Sequence, residues 1–270
     1  MENPANFEKL LTGEYKKFAN FLEDLYLTHN QENITRELIK EVRALQKFSF
    51  TNKNQFYLVF DHVKFLPIYL SDNIINCTGY TAQEMCNMTL FQFIKRLYWR
   101  QIPALVQVHI LGKSFRKLNR LSSSKNHEIF FCGVKWKDKE GQLTTFLGKQ
   151  KFIATDKNGE PTLSFIQGEN ITPIYKNDYG WMQMADYSID IPLIRVYSLR
   201  GNRSTNTQLL SDRELDIVRL IIQKMDSAAI ANQLHISVET VKKHRKNMIA
   251  KVGAKDMTSL IYICRQANVI

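Results

Sequence analysis

The feature that most constrains this chain lies near its end. Ser237 is a good helix N-cap, and Gly253 is the residue a helix C-terminus favours. Between them the side chains divide into two arcs. At about 100° per residue, Lys242, Lys243 and Lys246 fall on one side of a helix, and Val241, Met248 and Val252 fall on the other. Such a helix buries one face against neighbours and presents positive charge on the other. It therefore needs helical partners close by in the sequence.

Those partners can be placed. Ser211 and Glu214 form a Ser-x-x-Glu capping box, followed by Leu215, Val218, Ile221 and Ile222 at helical spacing. A second helix runs through Ala228, Ile230, Ala231 and Leu234, and His235, Ile236 and Ser237 make a tight connection. A fourth helix is expected from about Met257 to Ala267, with Leu260, Ile261, Ile263 and Cys264 available for burial. A lysine-rich arc alone is usually solvated surface. A short helix, a three-residue turn and a second capped helix with a basic outer face, taken together, match helix-turn-helix geometry. A helix of this diameter fits the major groove of B-DNA, where lysine can donate to guanine O6 and N7 or simply touch phosphate.

Charge points to the same end of the chain. The protein has 270 residues and a formal net charge of +11. Leu209–Ile270 holds ten basic and six acidic residues, and Arg195–Gln208 adds three arginines and no acid, so the last 76 residues carry +7. A polyanion contact is expected there. Residues 195–208 are polar and rich in Ser, Thr and Asn, and read as a linker.

The runs LSDRELDIV from Leu210 and IANQLHISVETVKKHRKNMIAKVG from Ile230 to Gly253 resemble the LuxR/FixJ-type helix-turn-helix domain over about 60 residues. That resemblance implies that the third helix recognises DNA, with Lys242, Lys243 and Lys246 toward base edges. It implies that Ser237, Thr240, His244, Asn247 and Lys251 contact phosphate, and that the fourth helix pairs two copies. Three departures stand out: Lys224 where the family usually has glycine, Ala228 and Ala229 in place of Lys-Glu, and Met257 in place of arginine.

The rest of the chain reads differently. Residues 1–54 form a helical segment with apolar stripes at Tyr15, Phe18, Phe21, Leu22 and Leu25, and at Ile34, Leu38, Val42 and Leu45, suited to core or dimer packing. From Gln55 the order is strand (Phe56–Phe60), strand (Phe65–Leu70), short helices, and a longer helix over roughly Ile102–Asn119. Strands at Ile129–Lys137, Leu143–Thr155 and Thr162–Gly168 then follow, joined by hairpins. With IYLSDNIINCTGYTAQE from Ile68 and GENIT from Gly168, this resembles a PAS domain over about 55–176. The apolar-aromatic stretch Tyr179–Tyr197 is expected to couple the modules. The fold expected is α+β: a PAS-like antiparallel sheet with helices in a sensor domain over 55–194, a linker over 195–208, and an all-α, four-helix helix-turn-helix domain over 209–270.

Several classes are set aside. GxSxG, P-loop, HExxH and dinucleotide fingerprints are absent, so no enzyme is expected. Cys77, Cys86, Cys132 and Cys264 form no CxxC pair, so neither a disulfide framework nor a metal site is expected. His62, His109 and His127 are conceivable haem ligands, but lone histidines are more often packed or solvated, and no cofactor is expected. Asn76-Cys77-Thr78 lacks the arginine of a flavin-reactive motif. No stretch of about 18 apolar residues suggests a membrane span, and Met1–Pro4 opens no signal peptide, so the cytoplasm is expected. The function expected is a sequence-specific transcription regulator that binds double-stranded DNA as a homodimer. A signal, small molecule or protein partner at the PAS-like domain would control dimerisation or DNA access. The alternative is a small-molecule or redox sensor whose main role is binding at that pocket.

Overall fold

The computed structural model describes residues 53–106, 127–156, 160–186, 193–199 and 208–270. The expected helical stripes of residues 1–52, most of the helix over Ile102–Asn119, and His109 lie outside them.

Seven strands form one antiparallel sheet: β1 (Gln55–Asp61), β2 (Leu66–Leu70), β3 (His127–Lys137), β4 (Leu143–Thr155), β5 (Pro161–Asn170), β6 (Trp181–Asp186) and β7 (Leu193–Ser198). Their order across the sheet is β2-β1-β5-β4-β3-β6-β7. Among the described residues between β2 and β3 are the short helices α1 (Ile74–Thr78), α2 (Ala82–Cys86) and α3 (Leu90–Arg96). α2 and α3 each open on a full capping box, Thr81 with Glu84 and Thr89 with Gln92. The order from β1 to β5 is the one read from the sequence, while β6 and β7 stand where only an apolar-aromatic stretch was expected. One boundary differs. Residues 195–198, expected in the linker, belong to β7, paired with β6 from Trp181↔Ser198 to Met184↔Arg195. Arg195 and Ser198 disguise the strand, because only Val196 and Tyr197 advertise burial there.

The two faces of the sheet do different work. On one face Phe56, Trp136 and Phe146 pack with Ile74, Cys77, Tyr80 and Met85 from the short helices and their connections. On the other, Phe130, Cys132, Leu147, Trp181 and Val196 join a core whose remaining members include Ile217, Ile230, Val241, Met248, Leu260 and Ile263 of the C-terminal helices. The period-2 alternation of each strand lets one sheet serve two partners. A bulge at Gly133, between Cys132 and Val134, resets that alternation within β3. Gln101 pins it from a fully buried position, donating to the Gly133 carbonyl at 2.8 Å and accepting from Lys135 N–H at 2.9 Å.

The C-terminal helices are α4 (Asp212–Ile222), α5 (Ser227–Leu234), α6 (Val238–Val252) and α7 (Met257–Gln266). Each starts on a side-chain cap: Ser211, Asp226, Ser237 and Asp256. α6 ends on Gly253 at φ +86°, in the left-handed region.

Candidate nucleic-acid interface

The site is built around α6. His235 closes α5 in the left-handed conformation, and the Ile236 N–H reaches back to the Ala231 carbonyl at 3.0 Å. Ser237 then opens α6, its hydroxyl accepting from Thr240 N–H at 3.0 Å. Only two residues separate α5 from this cap, which fixes the angle between the two helices.

Side-chain contacts hold that angle. Arg213 of α4 donates to the Leu234 carbonyl at 2.6 Å, and Arg245 of α6 donates to the Ser227 hydroxyl at 3.0 Å. Glu214, nearly buried, accepts from Ser211 N–H at 2.8 Å and from the Lys251 ammonium at 2.7 Å. Burial pushes the Glu214 carboxyl up, but the bonds from Lys251 and Ser211 outweigh it and hold it below the usual carboxylate range. The sequence reading saw Glu214 only as a cap partner and missed Arg213 and Arg245 as struts, because their partners lie 18 to 37 residues away.

Val241, Met248 and Val252 are each 0% exposed and face the core. Lys242, Lys243, Lys246 and Asn247 are exposed on the opposite arc, and His244 is half-buried beside them. Lys242 forms a surface pair with Glu239 at 2.7 Å, one turn back. The Ser237 and Thr240 hydroxyls lie 2.8 Å apart within the cap. Lys251 stands apart from the other residues expected at phosphate: its ammonium is committed to Glu214 and ties α6 to α4. The structure thus gathers Lys242, Lys243, Lys246 and Asn247 on one open face, keeps Ser237 and Thr240 at its start and His244 at its middle, and pairs the still-exposed Lys251 with Glu214.

The far end of α6 is held by the sheet. Its terminal carbonyls accept from Asn177 Nδ2 (at Ala250, 2.8 Å), from the Trp181 indole (at Val252, 3.0 Å) and from Lys176 N–H (at Gly253, 2.8 Å). A cleft of about 540 Å³ opens beside this contact, lined in part by Asn177, Tyr179, Gln208 and Lys251. Helix α7 lies against the same sheet face. Tyr262 donates to Glu169 of β5 at 2.5 Å, and Gln183 of β6 donates to the Ala267 carbonyl at 3.0 Å.

His62, His127, Cys77, Cys132 and Cys264 sit among packed neighbours. His62 lies 2.9 Å from the Ser164 hydroxyl and 3.2 Å from Gln150, and His127 lies 3.5 Å from Asp186. Burial pushes the Cys77 and Cys264 thiols up to about 12, and the Cys132 thiol well above its ordinary range, so these three are not thiolates at neutral pH. Among the described residues no cluster of His, Cys, Asp or Glu could hold a metal ion, and no helix is long and apolar enough to cross a membrane.

This C-terminal unit, with its capped second helix and open cationic face, has the geometry of a helix-turn-helix domain. Residues 208–264 match the family described as bacterial regulatory proteins, luxR family. The response regulator protein VraR of Staphylococcus epidermidis is 30% identical over 130 residues, covering 47% of this chain and 61% of that protein. VraR of Staphylococcus aureus is 30% identical over 78 residues, 29% of this chain and 37% of that protein. The chain thus spans less than two thirds of the length of these curated relatives. Among solved structures, a Vibrio cholerae VqmA dimer in the absence of target DNA is 16% identical, covers 84% of this chain and 86% of its own, and has a TM-score of 0.28. VqmA bound to DPO is 13% identical, with coverage of 85% and 88% and a TM-score of 0.27. At those scores neither structure bears on how the modules are arranged here.

Proposed function

We propose that this protein is a sequence-specific, DNA-binding transcription regulator without catalytic activity, acting in the cytoplasm. The observation that carries the reading is the division of α6: three exposed lysines on one arc, three fully buried apolar residues on the other. Lys242, Lys243 and Lys246 are assigned to base edges in the major groove, and Ser237, Thr240, His244 and Asn247 to phosphate. Lys251 is assigned to phosphate as well: its ammonium is half-exposed and keeps donors beyond the one given to Glu214, so it can orient α6 and meet a phosphate together. Two copies reading a two-fold site would place their recognition helices about one DNA turn, ~34 Å, apart. In the arrangement observed, α7 is engaged by the sheet, so pairing through α7 requires its release.

Selection of genomic fragments by the purified chain, followed by gel shifts, tests the reading. Lys242→Ala and Lys246→Ala should each cost about 1–3 kcal/mol of discrimination between the selected duplex and a scrambled one, with far-UV circular dichroism unchanged. Unchanged discrimination in both variants would refute it.

The sheet and short helices are assigned to a PAS-like sensor, on the strength of their element order and the capping boxes of α2 and α3. One observation favours ligand binding at that face as a second reading. Ser164, Gln150 and His62 form a polar cluster in aromatic surroundings, with His62 edge-on to Phe60 and Phe152. A small polar molecule could share those donors and acceptors. Release of a small molecule on denaturing the purified chain would support it, and its absence in chain shown by titration to bind nothing would oppose it.

A further inference from the structure

We propose that the sheet module itself touches DNA, through a phosphate-contacting site formed by Lys176 with Lys255 at the C-terminal end of the recognition helix. The inference rests on the assignment of α6 to the major groove and extends the contact surface onto a different module.

The two lysines are brought together by a short antiparallel bridge, Tyr175↔Ala254. The Lys176 N–H donates to the Gly253 carbonyl at 2.8 Å, and the Lys255 N–H donates to the Ile174 carbonyl at 2.9 Å. Tyr175 and Ala254 both point into the core. By the period of two, Lys176 and Lys255 emerge on the opposite side of the bridge, and both are exposed. Their backbones are fixed, so two positive charges are held in place rather than carried on a loose loop.

Their position follows α6 outward. Ala250 is exposed between the azimuths of Lys246 and Lys243 at 100° per residue, and its carbonyl receives Asn177, the neighbour of Lys176. The sheet loop therefore meets the helix on its cationic arc. From Lys246 to Gly253 the helix advances about 10 Å. A major groove is about 12 Å wide, so a helix reading bases at Lys242 to Lys246 brings its last turn to the phosphate wall. Two of the nearby acids are paired with other lysines: Asp178 with Lys135 at 3.5 Å and Glu214 with Lys251 at 2.7 Å. Asp256, which caps α7 by accepting from Ser259 at 2.8 Å, adjoins Lys255 and interacts with its charge. Among the described residues Lys176 and Lys255 make no ion pair.

Phosphate contacts give affinity without sequence choice, and each neutralised phosphate adds about 0.9 to the dependence of log K on log salt concentration. The test is a salt titration of full-length chain on its selected duplex, and on a scrambled one, by fluorescence anisotropy. Lys176→Ala and Lys255→Ala should each flatten the salt slope by about 1, and the double variant by about 2, weakening both duplexes equally. The backbone bridge uses no side-chain atom of either lysine, so the fold is retained, and circular dichroism checks this. An unchanged slope in the double variant, with Lys242→Ala still defective, overturns the proposal and leaves the recognition helix intact. Loss of discrimination on Lys176→Ala also overturns it, because the residue would then be reading bases. If Lys242→Ala and Lys246→Ala have no effect either, the assignment of α6 has failed first.

Discussion

At the scale of single residues, backbone strain and charge can be read from particular positions. Lys224, where the family usually has glycine, adopts φ +66°. An L-residue in the left-handed region costs roughly 1–2 kcal/mol, and glycine returns roughly 0.5–1 of that through its unfolded-state freedom. Lys224→Gly should therefore stabilise the chain by about 0.5–1 kcal/mol, seen as a small rise in the urea midpoint. Glu214 offers a second measurement. Its folded pKa is depressed, so its contribution is in place at neutral pH. That contribution is lost as pH falls from the ordinary carboxylate value through the lower folded one. Glu214→Gln should flatten the acid limb of stability against pH, measured by urea midpoints between about pH 3 and 7. It should also cost about 0.5–1.5 kcal/mol at neutral pH, because a neutral amide replaces the carboxylate in the bond from the half-exposed Lys251. The caps at Ser211, Ser237 and Gly253 were legible because cap chemistry is local. The partner of Lys251 was not, since it sits 37 residues earlier.

Among the elements, α4 to α7 were readable from period and caps, and β1 to β5 from their apolar runs, alternation and hairpins; β6 and β7 were legible only as an apolar-aromatic stretch. What the sequence did not disclose is where α7 goes. Its apolar stripe suits a second copy or a sheet equally well. The contacts that decide, such as Tyr262 with Glu169 and Gln183 with Ala267, join residues 93 and 84 positions apart. The latter part of β7 was hidden for a related reason, because one face of that strand meets the C-terminal core and the other meets Met182 and Met184. The junction of α6 with the sheet gives an element-scale prediction. A Cβ at Gly253 would lie 2.5 Å from the Tyr175 ring, whereas one at Gly141, also at positive φ, would meet nothing within 4 Å. Gly141→Ala should cost only the backbone penalty of roughly 1–2 kcal/mol. Gly253→Ala should cost about 1–3 kcal/mol more from overpacking. Denaturant titration of both variants checks the difference.

For the whole molecule, the sheet and the C-terminal helices share one core rather than meeting at a polar seam. Phe130 and Trp181 of the sheet lie in the same cluster as Met248 and Leu260 of the helices. Cooperative units are set by shared burial. Tryptophan emission and far-UV circular dichroism should therefore report one coincident thermal transition, and two separated transitions would show that the modules unfold independently. The α+β class was legible, because each half carries its own period. The docking was not, because the sheet residues that bind the helices carry the same apolar signature as residues buried within a sheet module alone.

The ring of Tyr175 is gripped by two glycines drawn from distant parts of the chain, with a third behind one of them. A Cβ at Gly133 would fall 2.4 Å from its hydroxyl, one at Gly253 would fall 2.5 Å from its ring, and Gly180 lies against Gly133. The hydroxyl ends on the Tyr179 carbonyl at 2.7 Å. These positions form one lock whose parts cannot vary separately. In an aligned set of homologues that keep this docking, an added side chain at residue 253 should be accompanied by a smaller residue at 175, and that covariation would betray the docked arrangement from sequences alone.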